Sequence, residues 1–517
     1  MSTLTAIVAN ARVPTSSALL SEDPRHSPLS YAELAQAVDD ARQALAATGL
    51  CGTQSVITSS LINGPTFVVT FLATGAHRCI AAPLNPAYVQ DEVAFYLEDA
   101  KPDLILVHRG AVKEGTHAVK AAQKAGVAIA EVFFDMAAKR FHLDLVSKGK
   151  GSKSVERSGQ PTPEDVALLL HTSGTTGRPK AVPLSHGNLT TTMRNIVRTY
   201  SLSPMDRSFC VMPLFHVHGL LASLLAPFAS GGSVVVPPKF AASTFWRDYE
   251  ATECTWYSAV PTMHQILLRS PIPKPLPMIR FIRSCSSALS PTAFHELEKV
   301  FGAPVVEAYA MTEAAHQMTS NPLPPAARKP SSVGLPQGIE LAILDDSGKR
   351  VEEGEVCIRG ANVTKGYLAN PEANKSAFTQ DGWFRTGDRG KLDSEGYLFL
   401  TGRIKELINR AGEKLSPLEI DAALLSVDGV NEAVSFGVPD EMRGEAVWAG
   451  VVLKEGAKLT EAEIRDRVKT KLSKMKIPER IFITDSIPKA GTGKVQRRLM
   501  APRFLEIAKN EPVKAKL

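Results

Sequence analysis

The run His171-Thr-Ser-Gly-Thr-Thr-Gly-Arg-Pro-Lys180 packs hydroxyls, glycines and two cations into ten residues. It follows an apolar stretch at 166–170, of the length expected for a strand buried in a parallel sheet. Glycines let a loop close its backbone N–H groups around phosphate oxygens, hydroxyls donate, and Arg or Lys neutralises. A strand feeding such a loop predicts an α/β layer with a phosphate site at its edge. The spacing is not that of a Walker loop. Gly491-Thr-Gly-Lys494 does not complete one either, because Pro488 stands at the first glycine position.

Outward from this loop the pattern persists. From Tyr31, Leu34, Val38, Ala41 and Leu45 recur at helical spacing. Residues 55–61 read as a strand, 67–72 as an apolar helix, and 79–82 and 104–107 as further strands. Such alternation predicts α/β layers. The polar segment 148–163 reads as a surface loop. After Gly402 the chain becomes more charged, with strands at 433–438 and 447–453 and helices at 461–472 and 496–508. The expected organisation is a large domain of layered α/β subdomains at 1–402 and a small α+β domain at 403–517. No internal repeat stands out.

A chain of 517 residues exceeds one ordinary core. With 44% hydrophobic and 22% charged residues, its composition is that of a globular protein. A net charge of +6 suits anionic ligands without diagnosing them. Six scattered cysteines with no CxxC pair argue against structural zinc and for a reducing compartment. Neither a secretory leader nor an apolar run of membrane-spanning length is legible.

The loop resembles the nucleotide loop of the adenylate-forming superfamily, which includes acyl-CoA synthetases, luciferases and peptide-synthetase adenylation domains. Further segments resemble that superfamily's motifs in the same order: Glu307-Ala-Tyr-Ala-Met-Thr-Glu313, Trp383-Phe-Arg-Thr-Gly-Asp388, Gly402-Arg-Ile-Lys405 and Pro488-Lys-Ala-Gly-Thr-Gly-Lys494. Ala310 departs from a common glycine. The resemblance implies an ATP-dependent acid–CoA ligase working through an acyl-adenylate, with ATP, Mg²⁺ and coenzyme A as co-reactants and no protein nucleophile. It assigns catalysis to Lys494, Glu313, Thr175 and His216. Nucleotide binding falls to Thr172, Ser173, Gly174, Thr175, Thr176, Gly177 and Lys180 of the loop, to Ser287, Ala288, Glu307, Ala308, Tyr309 and Thr312, and to Asp388, Arg403 and Lys494. Tyr309 would stack on adenine, Asp388 would accept from the ribose diol, and Glu313 would help hold Mg²⁺. Lys405 would be the pivot on which the small domain moves. Ala411 and Gly412 would line the pantetheine tunnel, Ala411 replacing a common glycine.

Three segments bear on the acid. In Phe215-His-Val-His-Gly219, Arg283-Ser-Cys-Ser-Ser-Ala-Leu289 and Ala314-Ala-His316, the resemblance puts His218 where the superfamily often has an aromatic, Cys285 and Ser286 where it has small apolar residues, and His316 where relatives with apolar substrates carry small ones. A fatty chain would leave buried polar groups unpaired, at about 1–3 kcal/mol each. A short dicarboxylate would use them, with Ser286, His316, His216 and Arg283 as candidates for its second carboxylate. The segments 213–221, 280–286 and 307–321 resemble the oxalate–CoA ligase branch of plants and fungi, which implies oxalate as substrate. The rival substrates are medium-chain fatty and aryl acids. Outside enzymes, the basic residues Arg465, Arg467, Lys469, Lys471, Lys474 and Lys476 would suit an RNA-binding or scaffold protein, and a solvated helix face more simply. Ala515-Lys516-Leu517 resembles the address read by the peroxisomal import receptor, so a peroxisomal location, shared with the cytosol or not, is expected.

Overall fold

The computed structural model describes residues 2–9, 14–23, 25–149, 159–172, 179–489 and 495–510. Among these, two large sheets dominate. The first runs in the order Arg140–Ser147, Ala128–Asp135, Leu104–His108, Val56–Ser60, Ile80–Pro83, Val166–Thr172, Lys180–Ser185. Its five central strands are parallel and its two edges antiparallel. The second has nine strands and a parallel centre that includes Arg207–Phe209, Trp256–Ala259, Phe281–Cys285 and Val305–Met311. Beyond Val305–Met311 it continues antiparallel through His316–Ser320 to the short edge strand Leu335–Pro336.

Apolar residues on both faces explain the continuous hydrophobic runs in these strands. Leu104 and Leu106 face a core that also holds Ile57, Leu168, Val234 and Met318, so this core touches both sheets. Ile105 and Val107 face the other way, onto Val93, Leu97 and Val119. Between the sheets lie helices Tyr31–Thr48, Pro65–Ala76 and His186–Thr199, which contribute Val38, Phe67 and Leu189. Pro65–Ala76 is buried around almost its whole girth, as its sequence of apolar and small residues requires. The far face of the second sheet carries Phe209, Tyr257 and Ile282 against Phe245, Leu267 and Leu297 of three outer helices.

Helix His186–Thr199 begins with a reciprocal cap. Ser185 Oγ accepts from the Asn188 backbone N–H at 3.1 Å, and Asn188 Oδ1 accepts from that of Ser185 at 2.9 Å. The spare amide of Asn188 donates to the carbonyls of Ala361 and Val363, which ties the helix to the next layer.

That layer is a four-stranded antiparallel sheet, Glu340–Leu344, Glu353–Arg359, Phe384–Leu392 and Leu398–Arg403. A final sheet follows from Ile408, with the long pair Val430–Asp440 and Gly444–Leu453 at its centre. Val447, Ala449 and Val451 face one small core and Ala446, with Phe436 and Val438, another. Two expected helices are shorter than their patterns: Glu461–Val468 stops before Leu472, and Met500–Asn510 is preceded by a 3-10 turn at Arg497–Leu499. Leu472 is nevertheless buried, since the turn after Val468 folds it onto the same core.

Candidate active site

Strand Val166–Thr172 and strand Lys180–Ser185 pair in a hairpin whose last register partners are Thr172 and Lys180. The pair therefore brackets the hydroxyl-rich loop. Ser173, Gly174, Thr175, Thr176 and Gly177 lie outside the described residues, as do Lys494 and Ala515-Lys516-Leu517. At the loop's root, His171 Nε2 is 2.8 Å from Asp99 Oδ2, and burial lowers the histidine's pKa.

Lys180 Nζ sits over the ring of Tyr367, 4.4 Å from its centroid. The Tyr367 hydroxyl donates to Glu313 Oε1 at 2.9 Å. Burial, then repulsion from Lys405, holds Lys180 below the usual lysine range. Burial raises the Glu313 carboxyl above its usual range, opposed by Arg403 and Lys180. Glu313 belongs to a 3-10 turn, Thr312–Ala314, that joins strands Val305–Met311 and His316–Ser320. A register shift at Tyr309/Ala310 kinks this hairpin beside the site.

Tyr309 reaches from that hairpin to Asp388, a cross-strand partner of Arg403. Asp388 Oδ1 accepts from Arg403 Nε at 2.9 Å. Glu355 sets the preceding turn, accepting from Arg385 Nη1 at 2.6 Å and from the Gly387 N–H at 2.9 Å. Glu307 is buried beneath exposed Ser287 and Ala288 and accepts backbone N–H groups from Leu289 and Ser331. Burial pushes its carboxyl up to about 8, so it is largely protonated at neutral pH. Ala308 is buried in the strand between Glu307 and Tyr309.

The candidate acid-binding residues form a second cluster. A π-helical stretch, His218–Leu225, begins there, a geometry frequent at functional sites. Gly219 is required at its start: a Cβ would lie 2.4 Å from the Pro213 carbonyl oxygen and 2.6 Å from that of Met212. His218 Nδ1 is 3.0 Å from Ser286 Oγ and its Nε2 is 2.7 Å from Ser258 Oγ. The imidazole of His316 stacks on that of His218, centroids 5.3 Å apart at 23°. Burial, reinforced by Arg283, depresses both histidines well below the usual range, so both are neutral. His216 Nδ1 accepts weakly from the His218 backbone N–H at 3.4 Å. Arg283 is fully buried behind these rings, donating to Tyr200 OH at 2.8 Å, Ser258 Oγ at 3.1 Å and Gln317 Oε1 at 3.2 Å.

His316 has φ 106° and Ser286 φ 73°, conformations that cost non-glycine residues energy and cluster at functional sites. His316 Nε2 is buried with no hydrogen-bond partner among the described residues. His316 lies three residues after Glu313, so one hairpin serves both clusters.

Ala411 and Gly412 lie elsewhere, at the exposed tip of the hairpin Ile408–Arg410/Glu413–Leu415, with φ 51° and 85°. Two consecutive positive φ values suit a two-residue turn of this kind. Lys405 is exposed, in the 3-10 turn Ile404–Glu406. Three of the six basic residues near the C-terminus are ion-paired: Lys469 with Asp466 at 2.6 Å, Lys476 with Glu419 at 2.6 Å, and Arg465 with Glu461. No helix among the described residues is long and apolar enough to cross a membrane.

Tyr200, Ser258, Gln317 and Tyr367 were not singled out in the sequence. Gln317 lies within the segment 307–321, whereas Tyr200, Ser258 and Tyr367 sit in no motif and are brought to their clusters by tertiary contact.

Sequence comparison matches residues 8–368 to the AMP-binding enzyme family and 419–494 to the AMP-binding enzyme C-terminal domain. The oxalate–CoA ligase of Saccharomyces cerevisiae is 49% identical over 479 residues, covering 89% of this chain and 88% of the yeast chain. That of Arabidopsis thaliana is 47% identical over 492 residues, covering 92% and 94%. Among solved structures, ATP-bound MatB from Rhodopseudomonas palustris superposes with a TM-score of 0.88 at 30% identity, covering 98% of this chain and 99% of that one. The chain belongs to the AMP-binding enzyme family, as an acyl-CoA synthetase: an ATP-dependent acid–CoA ligase.

Proposed function

We propose that the acid is oxalate, and that the chain converts oxalate, ATP and CoA to oxalyl-CoA, AMP and pyrophosphate. The observation that carries this reading is Arg283, a fully buried guanidinium whose hydrogen-bond partners Tyr200, Ser258 and Gln317 are all neutral. An uncompensated buried cation is costly. A small anion beside Ser286 and His316 would offset that cost, and a fatty or aryl group would not. The oxalate–CoA ligases of yeast and Arabidopsis, similar along most of their length, support the same choice.

In the first step a substrate carboxylate oxygen attacks the α-phosphorus of ATP and pyrophosphate leaves. Charge crowds the phosphorus, so positioning and electrostatics carry the catalysis. Lys494 is assigned to the attacking carboxylate and the α-phosphate, and Lys180 with the hydroxyl-rich loop to the departing phosphates. In the second step the CoA thiol attacks the activated carbonyl and AMP leaves. The small domain, taken as 403–517, would turn about Lys405 between the steps and bring Ala411 and Gly412 to the thiol's path.

Glu313 fits a Mg²⁺ ligand: its oxygens are hard donors, and one of them accepts a single hydrogen bond from Tyr367. No group of three metal-ligating side chains occurs among the described residues, so the nucleotide would supply most of the coordination. When bound, Mg²⁺ supplies charge neutralisation at the phosphates.

The test is CoA-dependent AMP formation by purified protein with oxalate, malonate, acetate, octanoate and coumarate offered separately. Turnover of oxalate well above the others is the expected result. Preference for octanoate or coumarate would overturn the choice of acid and leave the ligase chemistry intact. Peroxisomal import through a free Ala515-Lys516-Leu517 end is part of the proposal. A fluorescent fusion that stays punctate after those three residues are removed would refute it.

A further inference from the structure

Arg283 reaches no described carboxylate and is fully buried, yet it heads a hydrogen-bond chain that runs through Ser258 and His218 to Ser286. A guanidinium only donates. Its Nη1 lies 3.1 Å from Ser258 Oγ and 3.4 Å from His218 Nε2. A hydrogen on His218 Nε2 would point at both an arginine N–H and a serine oxygen already accepting from that arginine. The Ser258 proton would then have no acceptor among the described residues. The satisfied arrangement is the other one: Ser258 accepts from Arg283 and donates to His218 Nε2 over 2.7 Å. The single proton of the neutral ring is then on Nδ1, which donates to Ser286 Oγ at 3.0 Å.

Ser286 Oγ, already accepting, is left with its own proton to give. It is half-buried, and among the described residues His218 is the one partner of its hydroxyl. Tyr200 and Gln317 hold the far side of Arg283 in place, the phenol accepting from Nε and the amide oxygen from Nη2. His316 covers the open face of His218.

We infer that Arg283 is a positioning residue for acid selection: through Ser258 it fixes His218 as the Nδ1–H tautomer and so presents the Ser286 hydroxyl as a donor to the second carboxylate of a dicarboxylate substrate. The last step rests on the dicarboxylate reading above; the tautomer does not. A site with a fixed donor rejects an acid that lacks the matching acceptor, because the hydroxyl is then left unpaired.

The direct readout is ¹⁵N NMR of histidine-labelled protein, with the His218 signals identified by their loss in His218→Gln. The expected result is a protonated Nδ1 and an unprotonated Nε2. A protonated Nε2, or an imidazolium, overturns the relay whatever the substrate. The functional readout is Ser258→Ala, which removes the link between Arg283 and His218. It should raise KM for oxalate about tenfold, with KM for ATP unchanged. Ser258→Thr, which keeps the hydroxyl on a strand, should restore the wild-type KM. The expected tautomer together with an unchanged oxalate KM in Ser258→Ala overturns the role in acid selection. If wild-type protein ignores oxalate and malonate while the tautomer is as stated, the choice of acid fails, and the step from Ser286 to a second carboxylate falls with it.

Discussion

The Tyr309 phenol donates a hydrogen bond to Asp388 across the junction between the nine-stranded sheet and the four-stranded one. The other oxygen of the same carboxylate accepts from Arg403 Nε. Each oxygen keeps a further lone pair, so the carboxylate can still accept from a ribose diol while its position is fixed from two sides. Tyr309 is nearly buried, and burial followed by the Asp388 charge keeps its phenol protonated and donating.

Removing the phenol oxygen and removing the carboxylate charge should therefore have different consequences. Tyr309→Phe keeps the ring for stacking and loses one hydrogen bond, so nucleotide affinity should fall about fivefold. Asp388→Asn removes the charge beside Arg403 and puts an NH₂ where one oxygen accepts, and the loss should be at least about tenfold larger. Isothermal titration with ATP orders the two. The reverse order would remove Asp388 from the ribose.

Glu307 predicts a pH dependence of stability. Its folded pKa of about 8 lies above the ordinary 4.5, because burial outweighs the two N–H groups that favour the charged form. A carboxyl raised on folding contributes stability that is full below about pH 4.5 and lost as pH rises through about 8. Between pH 6 and 9 that loss amounts to about 2–3 kcal/mol. Glu307→Gln, neutral throughout, should flatten this part of the decline. Denaturant melts at both pH values decide it: equal slopes for the two proteins would mean that the carboxyl is ionised in the fold.

Gly219 links backbone shape to substrate choice. Gly219→Ala places a methyl against two backbone carbonyls that cannot yield like a flexible side chain. Destabilisation of about 1–3 kcal/mol is expected, and His218, its neighbour, must shift with the backbone. Loss of thermal stability should come with a raised KM for oxalate and an unchanged KM for ATP. A variant with wild-type stability would mean that the Met212–Pro213 turn relaxes freely.

Much of the fold was legible because the buried strands are short apolar runs between turn signals. The reading of 104–107 became Leu104–His108, and 79–82 became Ile80–Pro83. The antiparallel four-stranded sheet was not read, since its strands, such as Phe384–Leu392, mix charged and glycine residues, and a long segment separates Glu353–Arg359 from its partner Phe384–Leu392. Tyr309, Glu313, Asp388 and Arg403, which the resemblance assigns to the nucleotide and its Mg²⁺, were legible as motifs because each lies in a short run on one hairpin or turn. The polar cluster was legible only in part. Ser286 and His316 stood out where apolar residues were expected, but Tyr200 ends a helix and Ser258 sits in an apolar strand, and neither position carries a local signal. Arg283 was one candidate for the second carboxylate, and its full burial against His218 and Ser258 is a placement that only packing decides.

The six cysteines give a last prediction, about reactivity. All six are buried and unpaired. The thiolate is the reactive form, and burial pushes Cys51, Cys254 and Cys357 from an ordinary 9.0 up to about 12. That leaves about a thousandfold less thiolate than an exposed thiol at the same pH, before steric access is counted. Burial drives Cys79 and Cys210 in the same direction. Native protein should therefore resist a maleimide on a timescale that labels all six thiols in guanidinium, and its ligase activity should survive the treatment. Because CoA brings the reacting sulfur, no protein thiol is needed for turnover. Rapid labelling of one cysteine with parallel loss of activity, read by peptide mass, would reveal a thiol within reach of the site and contradict that economy of nucleophiles.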